Sequence, residues 1–332
     1  MRVVAPGLSS TLQDGGRRSG LESGIPPGGA ADDLSYRLNC LLLDNDTRTA
    51  VVEQVLVGGS FEILRPVVVA LTGADMSPTV NGLPAAMASC LTLLPGDLLE
   101  TRVARRGCFG YLGIAGGFAA DRVFGSASTN VEGQLGGYDG RRLAADDRLD
   151  SAAKSPPQGC VRTAARLHEL LCAPPSELRF TRGPQDDYFD EDAYDVFTTE
   201  EYRVSPRSNR VGYRIEGRCP SPMDVPRTRD TGSGPTDIVE EGNPVGGIQV
   251  AGGKEIICLG RDCGTSGAYA KIGCVIGTDV SRMAQLAPGA SFRFTEVTRA
   301  QAVSIRAEAR RLLAGLAAPA VCAEVTAVPR SP

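Results

Sequence analysis

The 332-residue chain has no tryptophan and a single histidine, and its aromatic residues make up only 5% of the total. The shortage of histidine excludes the most. Ser-His-Asp and Cys-His catalysis both need an imidazole beside the nucleophile. The one histidine, His168, lies in "AARLHELL", a short helical run after a proline-rich stretch, where it reads as a half-exposed helix residue. Acid–base work therefore falls to Asp, Glu, Lys or Tyr. The ten cysteines contain no C-x-x-C pair, so no metal site is expected, because zinc needs clustered Cys and His ligands. A chain this long can bury a full core without disulfides, and its scattered thiols are expected to be reduced and mostly buried.

An excess of one charge is also missing. The 35 basic and 39 acidic residues leave a net charge of −4, so the basic footprint of a nucleic-acid binder is absent. No apolar run approaches the ~20 residues that span a bilayer. The apolar part of "MRVVAPGLSS" is short for a secretory signal. A cytoplasmic location, with neither membrane nor nucleic acid as partner, is the expectation. Nucleotide signatures are lacking too: Gly253-Lys254 is followed by Glu255 rather than Ser or Thr, and neither G-x-G-x-x-G nor G-x-S-x-G is found. No cofactor is therefore bound by an identifiable motif.

What the chain has in quantity is glycine (40) and proline (22). Between them run short β-rich segments such as "AVVEQVLVGGSFEIL", "VVVALTG", "SCLTLLPGDLLE" and "CFGYLGIAGGF". Asn81-Gly82 predicts a tight hairpin turn, Pro95-Gly96-Asp97 another turn, and Gly252-Gly253 the closure of the hairpin "IQVAGGKEIICLG". Short strands with regular turn signals predict a mainly β fold, a sandwich or barrel. Three peripheral helices are expected: "DLSYRLNCLLL" at 33–43, the acidic run at 186–201 with Phe189, Ala193 and Phe197 on one face, and a C-terminal amphipathic helix at 299–318. The composition of 150–160 is that of a linker. It divides the chain into an N-terminal β lobe (1–150) with a Gly-rich loop, a linker (151–165), a C-terminal β lobe (166–298) and a helix with tail (299–332).

Four polar, Gly-rich patches stand out: 11–33, 124–143, 205–217 and 260–273. The first, "TLQDGGRRSGLESGIPPGGAADD", holds six glycines and two prolines, the composition of a long surface loop. It is either a flexible region without a role or the wall of a site.

The spacing of Thr11, Gln13, Asp14, Gly16, Arg17, Gly24, Pro26, Gly29, Ala30 and Asp32 resembles the opening motif of the allophanate hydrolase subunit 2 family. That family includes the C subunit of 5-oxoprolinase, the Kip antagonist protein and the matching carboxyltransferase region of urea carboxylase. The resemblance continues through "LTGAD" (71–75), "YLGIAGGF" (111–118), "GSAST" and "GGYDGR" (125–141), "GPQDDYF" (183–189), "SNRVGYRIEG" (208–217), "GGIQV" (246–250), "GTSGAYAKIG" (264–273) and "AQLAPG" (284–289). It implies a cyclophilin-like β-barrel architecture in two lobes and action on a small amide, lactam or urea-type substrate. Its most specific form is ATP-dependent opening of 5-oxoproline. It also implies a possible subunit 1 homologue as partner, through which ATP or carboxybiotin would be supplied.

On this resemblance the 11–33 loop becomes a site wall whose glycines let backbone approach a ligand. Arg17 and Arg210 would bind a carboxylate or oxyanion, with Asp14 orienting Arg17. Gly29, Ser128, Thr129, Tyr213, Gln249, Thr265 and Ser266 complete the expected substrate contacts. Lys271, Asp32, Asp262 and Tyr269 are the expected catalytic groups, Lys271 polarising a carbonyl or stabilising an oxyanion. Arg17 and Lys271 are expected to reach the same guest.

The sequence departs from the family pattern in one motif. Where members tend to read Asp-Arg-Gln-Thr-Thr-Gly-Gly-Tyr-Pro-Lys, residues 262–271 read "DCGTSGAYAK", so Cys263 and Gly264 replace a cation and an amide. Ala127 replaces a second arginine. Cys263 is either a nucleophile activated near Lys271 or Arg261 or a small neutral filler. The departures leave two alternatives to the hydrolase: a Kip-antagonist-type regulatory partner that needs no turnover, and a repurposed ring-forming enzyme.

Overall fold

The computed structural model describes residues 1–152, 163–223 and 234–317. Most of the expected linker at 151–165, together with Cys160, Cys322 and the tail beyond 317, lies outside the described residues. The chain divides into two compact units, one comprising 1–18, 28–174 and 309 onward, the other 19–27 and 175–308.

The first unit is built from two five-stranded antiparallel sheets. One orders its strands Arg2–Ala5, Ser60–Glu62, Leu98–Glu100, Thr79–Val80 and Leu83–Pro84; the other orders Ser10–Gln13, Val51–Val55, Arg106–Ile114, Val67–Asp75 and Cys90–Leu93. A core that includes Val3, Leu12, Phe61, Val69, Leu71, Leu99 and Leu112 unites both sheets. The hairpin at Asn81-Gly82 forms as expected, with φ of 52° and 80°, the left-handed pair that a tight two-residue turn requires. The turn at 95–97 also forms, with Asp97 N–H donating to Leu94 O at 3.0 Å. It does not close a hairpin, because Cys90–Leu93 pairs with one sheet and Leu98–Glu100 with the other.

Helix Asp33–Leu42 lays Leu34, Leu38 and Leu42 against Ala70, Leu171 and Cys172. The last two belong to helix Ala165–Cys172. Their burial is the reason residues 166–174 join the first unit, whereas the sequence places them in the second lobe.

The second unit is a closed seven-stranded barrel: Glu177–Arg182, Lys271–Val275, Gly247–Ala251, Glu255–Leu259, Gly212–Glu216, Tyr202–Val204 and Ser291–Glu296. Its neighbours are antiparallel except at the closure, where 177–180 run parallel to 293–296. Alternation explains the strands. "ELRFTR" turns Leu178 and Phe180 inward and "SFRFTE" turns Phe292 and Phe294 inward, the period-2 pattern of a strand with one buried face. Five rings (Phe180, Phe197, Tyr202, Phe292 and Phe294) form the barrel's aromatic centre, Phe197 stacking on Phe294 at 4.4 Å between centroids.

The acidic run folds as a 3-10 turn, Asp186–Tyr188, and helix Glu191–Thr199, with Phe189, Ala193 and Phe197 all buried. The C-terminal helix spans Arg299–Ala317. A two-stranded ribbon, Asp237–Gly242 with Ser266–Tyr269, stands outside the barrel ladder. No helix among the described residues is long and apolar enough to cross a membrane.

Candidate functional site

In the first unit the ends of the 11–33 loop are anchored by buried polar contacts. Strand Ser10–Gln13 delivers Gln13, whose Nε2 donates to Thr11 Oγ1 and to Thr129 O, both at 3.0 Å, and whose Oε1 accepts from Ser128 Oγ at 2.5 Å. Asp14 accepts from Gly16 N (2.9 Å), Ser126 Oγ (2.6 Å) and Ala127 N (2.7 Å), and Arg122 lies 3.5 Å away. Arg17 is buried and donates through Nη2 to the Ser128 carbonyl. Gly29 N–H donates to Ser128 Oγ at 2.7 Å. Gly29 sits at φ 88°, and a Cβ there would lie 2.9 Å from Gly16 Cα and N, so only glycine fits. Gln13, Asp14, Arg17, Gly29, Ser128 and Thr129, spread over more than a hundred residues of sequence, thus meet in one network.

Asp32 is the N-cap of helix Asp33–Leu42. It accepts from Ser35 N at 3.0 Å and from Ser35 Oγ at 2.5 Å, saturating one of the helix's open backbone donors. Behind it, Tyr111 Oη accepts from Asp32 N (2.8 Å) and donates to Glu53 Oε2 (2.9 Å), which also accepts from Ala31 N (2.7 Å). Burial, then the charge of Glu53, holds the Tyr111 phenol well above its usual range. The resemblance places Asp32 among the catalytic groups; its geometry is that of a helix cap.

In the second unit an open hollow of about 700 Å³ is lined by Leu21, Glu22, Pro184, Glu241, Asn243, Thr265, Ser266 and Lys271, among others. Leu21 and Glu22 come from the middle of the 11–33 loop, which groups with this unit. Lys271 opens the barrel strand Lys271–Val275, and its side chain is 1% exposed. Its Nζ donates to Glu241 Oε1 at 2.7 Å and to Tyr269 O at 3.4 Å. Gln185 completes the cluster. Its Oε1 accepts from Lys271 N and its Nε2 donates to Glu241 Oε1, each at 3.0 Å. Burial raises the Glu241 pKa, but the hydrogen bonds from Lys271 and Gln185 and the Lys271 charge outweigh it and leave the carboxyl below its ordinary value. An ammonium and a carboxylate thus stand together at the wall of a hollow. The first can donate to an oxygen gaining negative charge and the second can accept a proton.

Asn243, also in the lining, ties its neighbours together. Its Nδ2 donates to Gly264 O (3.2 Å) and Ser266 O (2.8 Å), and its Oδ1 accepts from Gln249 Nε2 (3.2 Å). Thr265, Ser266 and Lys271 therefore line the same hollow, and Gln249 contacts it through Asn243. Tyr269 is 40% exposed and supplies its carbonyl to Lys271.

Other expected site residues have structural surroundings. Arg210 and Asp262 form a two-pronged ion pair with each other, Nε to Oδ2 at 2.8 Å and Nη2 to Oδ1 at 3.1 Å. Tyr213 is buried in the barrel core. Cys263 is 1% exposed, and burial, reinforced by the Asp262 charge, pushes its thiol up to about 11. That opposes activation, and the filler role fits the position. Arg17 and Lys271, expected to face one guest, fall in different units.

Glu241, Gln185 and Asn243 are site residues that the sequence reading missed. Gln185 lies inside the quoted "GPQDDYF" block, a polar residue in a matched motif, and could have been found. Glu241 and Asn243 carried no such signal, because the ribbon pairing that brings Glu241 to Lys271 and the contacts of Asn243 with Gly264 and Ser266 are tertiary.

Known proteins share this architecture. The chain is 30% identical over 317 residues to the C subunit of 5-oxoprolinase from Escherichia coli, an alignment covering 96% of this chain and 97% of the relative. It is 27% identical to the urea amidolyase of Saccharomyces cerevisiae, where the match covers 92% of this chain but 17% of that much longer protein. The crystal structure of the K. lactis urea amidolyase superposes with a TM-score of 0.86 at 25% identity, covering 99% of this chain and 20% of that one. The family profile described as carboxyltransferase domain, subdomain A and B, matches residues 23–296. The chain belongs to this carboxyltransferase-domain family.

Proposed function

We propose that the chain is a subunit of a 5-oxoprolinase-type enzyme that acts on a small lactam, amide or urea-type substrate in the hollow at Lys271. The observation that carries this reading is the buried Lys271 ammonium held 2.7 Å from Glu241 where both line an open hollow. A lactam or urea edge presents a carbonyl and an N–H side by side. Lys271 suits the carbonyl oxygen as it gains charge, and Glu241 suits the N–H. Electrostatic stabilisation of this kind is commonly the largest single catalytic effect. The end-to-end similarity to the 5-oxoprolinase C subunit supports the same substrate class. ATP would enter through a partner, a subunit 1 homologue, and the complex would work in the cytoplasm.

The test mixes the purified chain with candidate partner subunits, ATP and 5-oxoproline and measures glutamate. Formation that depends on all components and falls in Lys271→Met is the expected result. Glutamate at background in every combination overturns the reading. A second reading, a different small-molecule substrate turned over in the same fold, is favoured by Cys263 and Ala127, both fully buried at positions where the resembled pattern carries arginine. Turnover of such a substrate without 5-oxoproline activity would select it.

A further inference from the structure

The geometry points to Gln185 as the positioning residue of the Lys271–Glu241 pair: a neutral amide that clamps the strand carrying the ammonium to the carboxylate of the neighbouring ribbon. This inference rests on the reading of the hollow as the reaction site.

Three observations converge. The Lys271 backbone N–H can only donate, and it meets Gln185 Oε1 at 3.0 Å. The Glu241 carboxylate accepts, and it meets Gln185 Nε2 at 3.0 Å. Both bonds end on the two residues whose side chains form the 2.7 Å ion pair. An amide carries one acceptor and one donor group on a single planar head. Among side chains of this length, only glutamine serves both partners at once. A glutamate would keep the bond to Lys271 N but set two carboxylates together, and a leucine would serve neither partner. Gln185 precedes the 3-10 turn Asp186–Tyr188, so its own backbone is fixed by a short ordered element rather than by the strand or ribbon it joins. Lys271, whose side chain is 1% exposed, cannot recruit water in place of the clamp, whereas Glu241 at 36% can swing toward solvent. The amide therefore acts mainly by holding Glu241 in place.

The charged groups lining the hollow are Glu22, Glu241 and Lys271. Of these, Lys271 is the one whose charge lowers the Glu241 pKa, and the Gln185 hydrogen bond acts in the same direction. Removing the amide therefore moves the Glu241 titration upward, and replacing it with a carboxylate moves it further.

The experiment compares the full-length chain with Gln185→Leu and Gln185→Glu. The Glu241 carboxyl is followed by carbon-detected NMR across pH, assigned with Glu241→Gln, and circular dichroism confirms the fold. The expected result is an upward shift in both variants, larger in Gln185→Glu. In the assembled enzyme, kcat should fall on the order of tenfold in Gln185→Leu with KM within a factor of about two, the signature of misplaced rather than missing machinery. An unchanged Glu241 titration in both folded variants overturns the inference. The titration needs no substrate. If wild-type chain shows no turnover with any partner while the titration still moves, the proposed reaction fails and the clamp stands.

Discussion

Replacing Lys271 with methionine separates a lysine that does chemistry from one that holds the fold. The two cases differ in their stability cost. Breaking a fully buried ion pair by removing one partner costs about 3–5 kcal/mol, because the abandoned charge has nowhere to go. Here the pair is asymmetric. Lys271 is 1% exposed, but its partner Glu241 is 36% exposed and keeps its hydrogen bond from Gln185. The carboxylate can be rehydrated, so most of that penalty is relieved by solvent, as in screened pairs. Methionine fills the aliphatic volume and removes the desolvation cost of a buried ammonium. The expected net change is within about 1 kcal/mol of wild type. Loss of a donor aimed at developing negative charge should lower kcat by roughly 100-fold or more.

The pH dependence supplies an independent check. Glu241 is held below its ordinary value of 4.5, so its pair contributes stability above that pH and loses it as pH falls through the lowered value. In Lys271→Met burial opposes only the Gln185 bond, so the folded-state Glu241 value moves back up toward its ordinary one and the acid-side loss of stability contributed by this group should shrink. Urea unfolding followed by circular dichroism and tyrosine fluorescence, repeated from pH 3 to 7, measures both quantities; the absence of tryptophan leaves the tyrosine signal clear. A variant destabilised by more than about 4 kcal/mol, or one with wild-type kcat, would refute the reasoning.

Two further outcomes follow from the same geometry. Cys263→Ser should leave turnover unchanged, and iodoacetamide should label Cys263 slowly at neutral pH, since burial pushes the thiol up to about 11; fast labelling coupled to loss of activity would restore it as a nucleophile. Asp32→Ala should cost about 1 kcal/mol through loss of the cap to Ser35, with kcat per folded molecule unchanged, which activity normalised to the folded fraction will reveal.

Residue patterning and turn chemistry made much of the fold legible. The hairpins at Asn81-Gly82 and Gly252-Gly253, the buried face of Phe189, Ala193 and Phe197, and the C-terminal helix all follow from local spacing, and all are present. These features depend on neighbours a few residues apart, whose relation the covalent chain fixes. The assignment of 166–174 to a lobe was not legible, because Leu171 and Cys172 could cover either core and the choice depends on which surface is left open by the rest of the chain.

The same division holds for the candidate site. Read along the chain, the residues offer a single histidine in a helical run, place Lys271 in a polar, Gly-rich motif, and put Asp14, Arg17 and Ser128 in blocks that resemble one family. Folding alone settles that Arg210 and Asp262 neutralise each other, that Asp32 caps a helix, and that Lys271 is paired with Glu241 under the hand of Gln185. The difference arises because a charged group's role is set by what lies within about 3 Å of it. For Lys271 those neighbours are 30 and 86 positions away in sequence, brought close by strand pairings whose register no local pattern encodes.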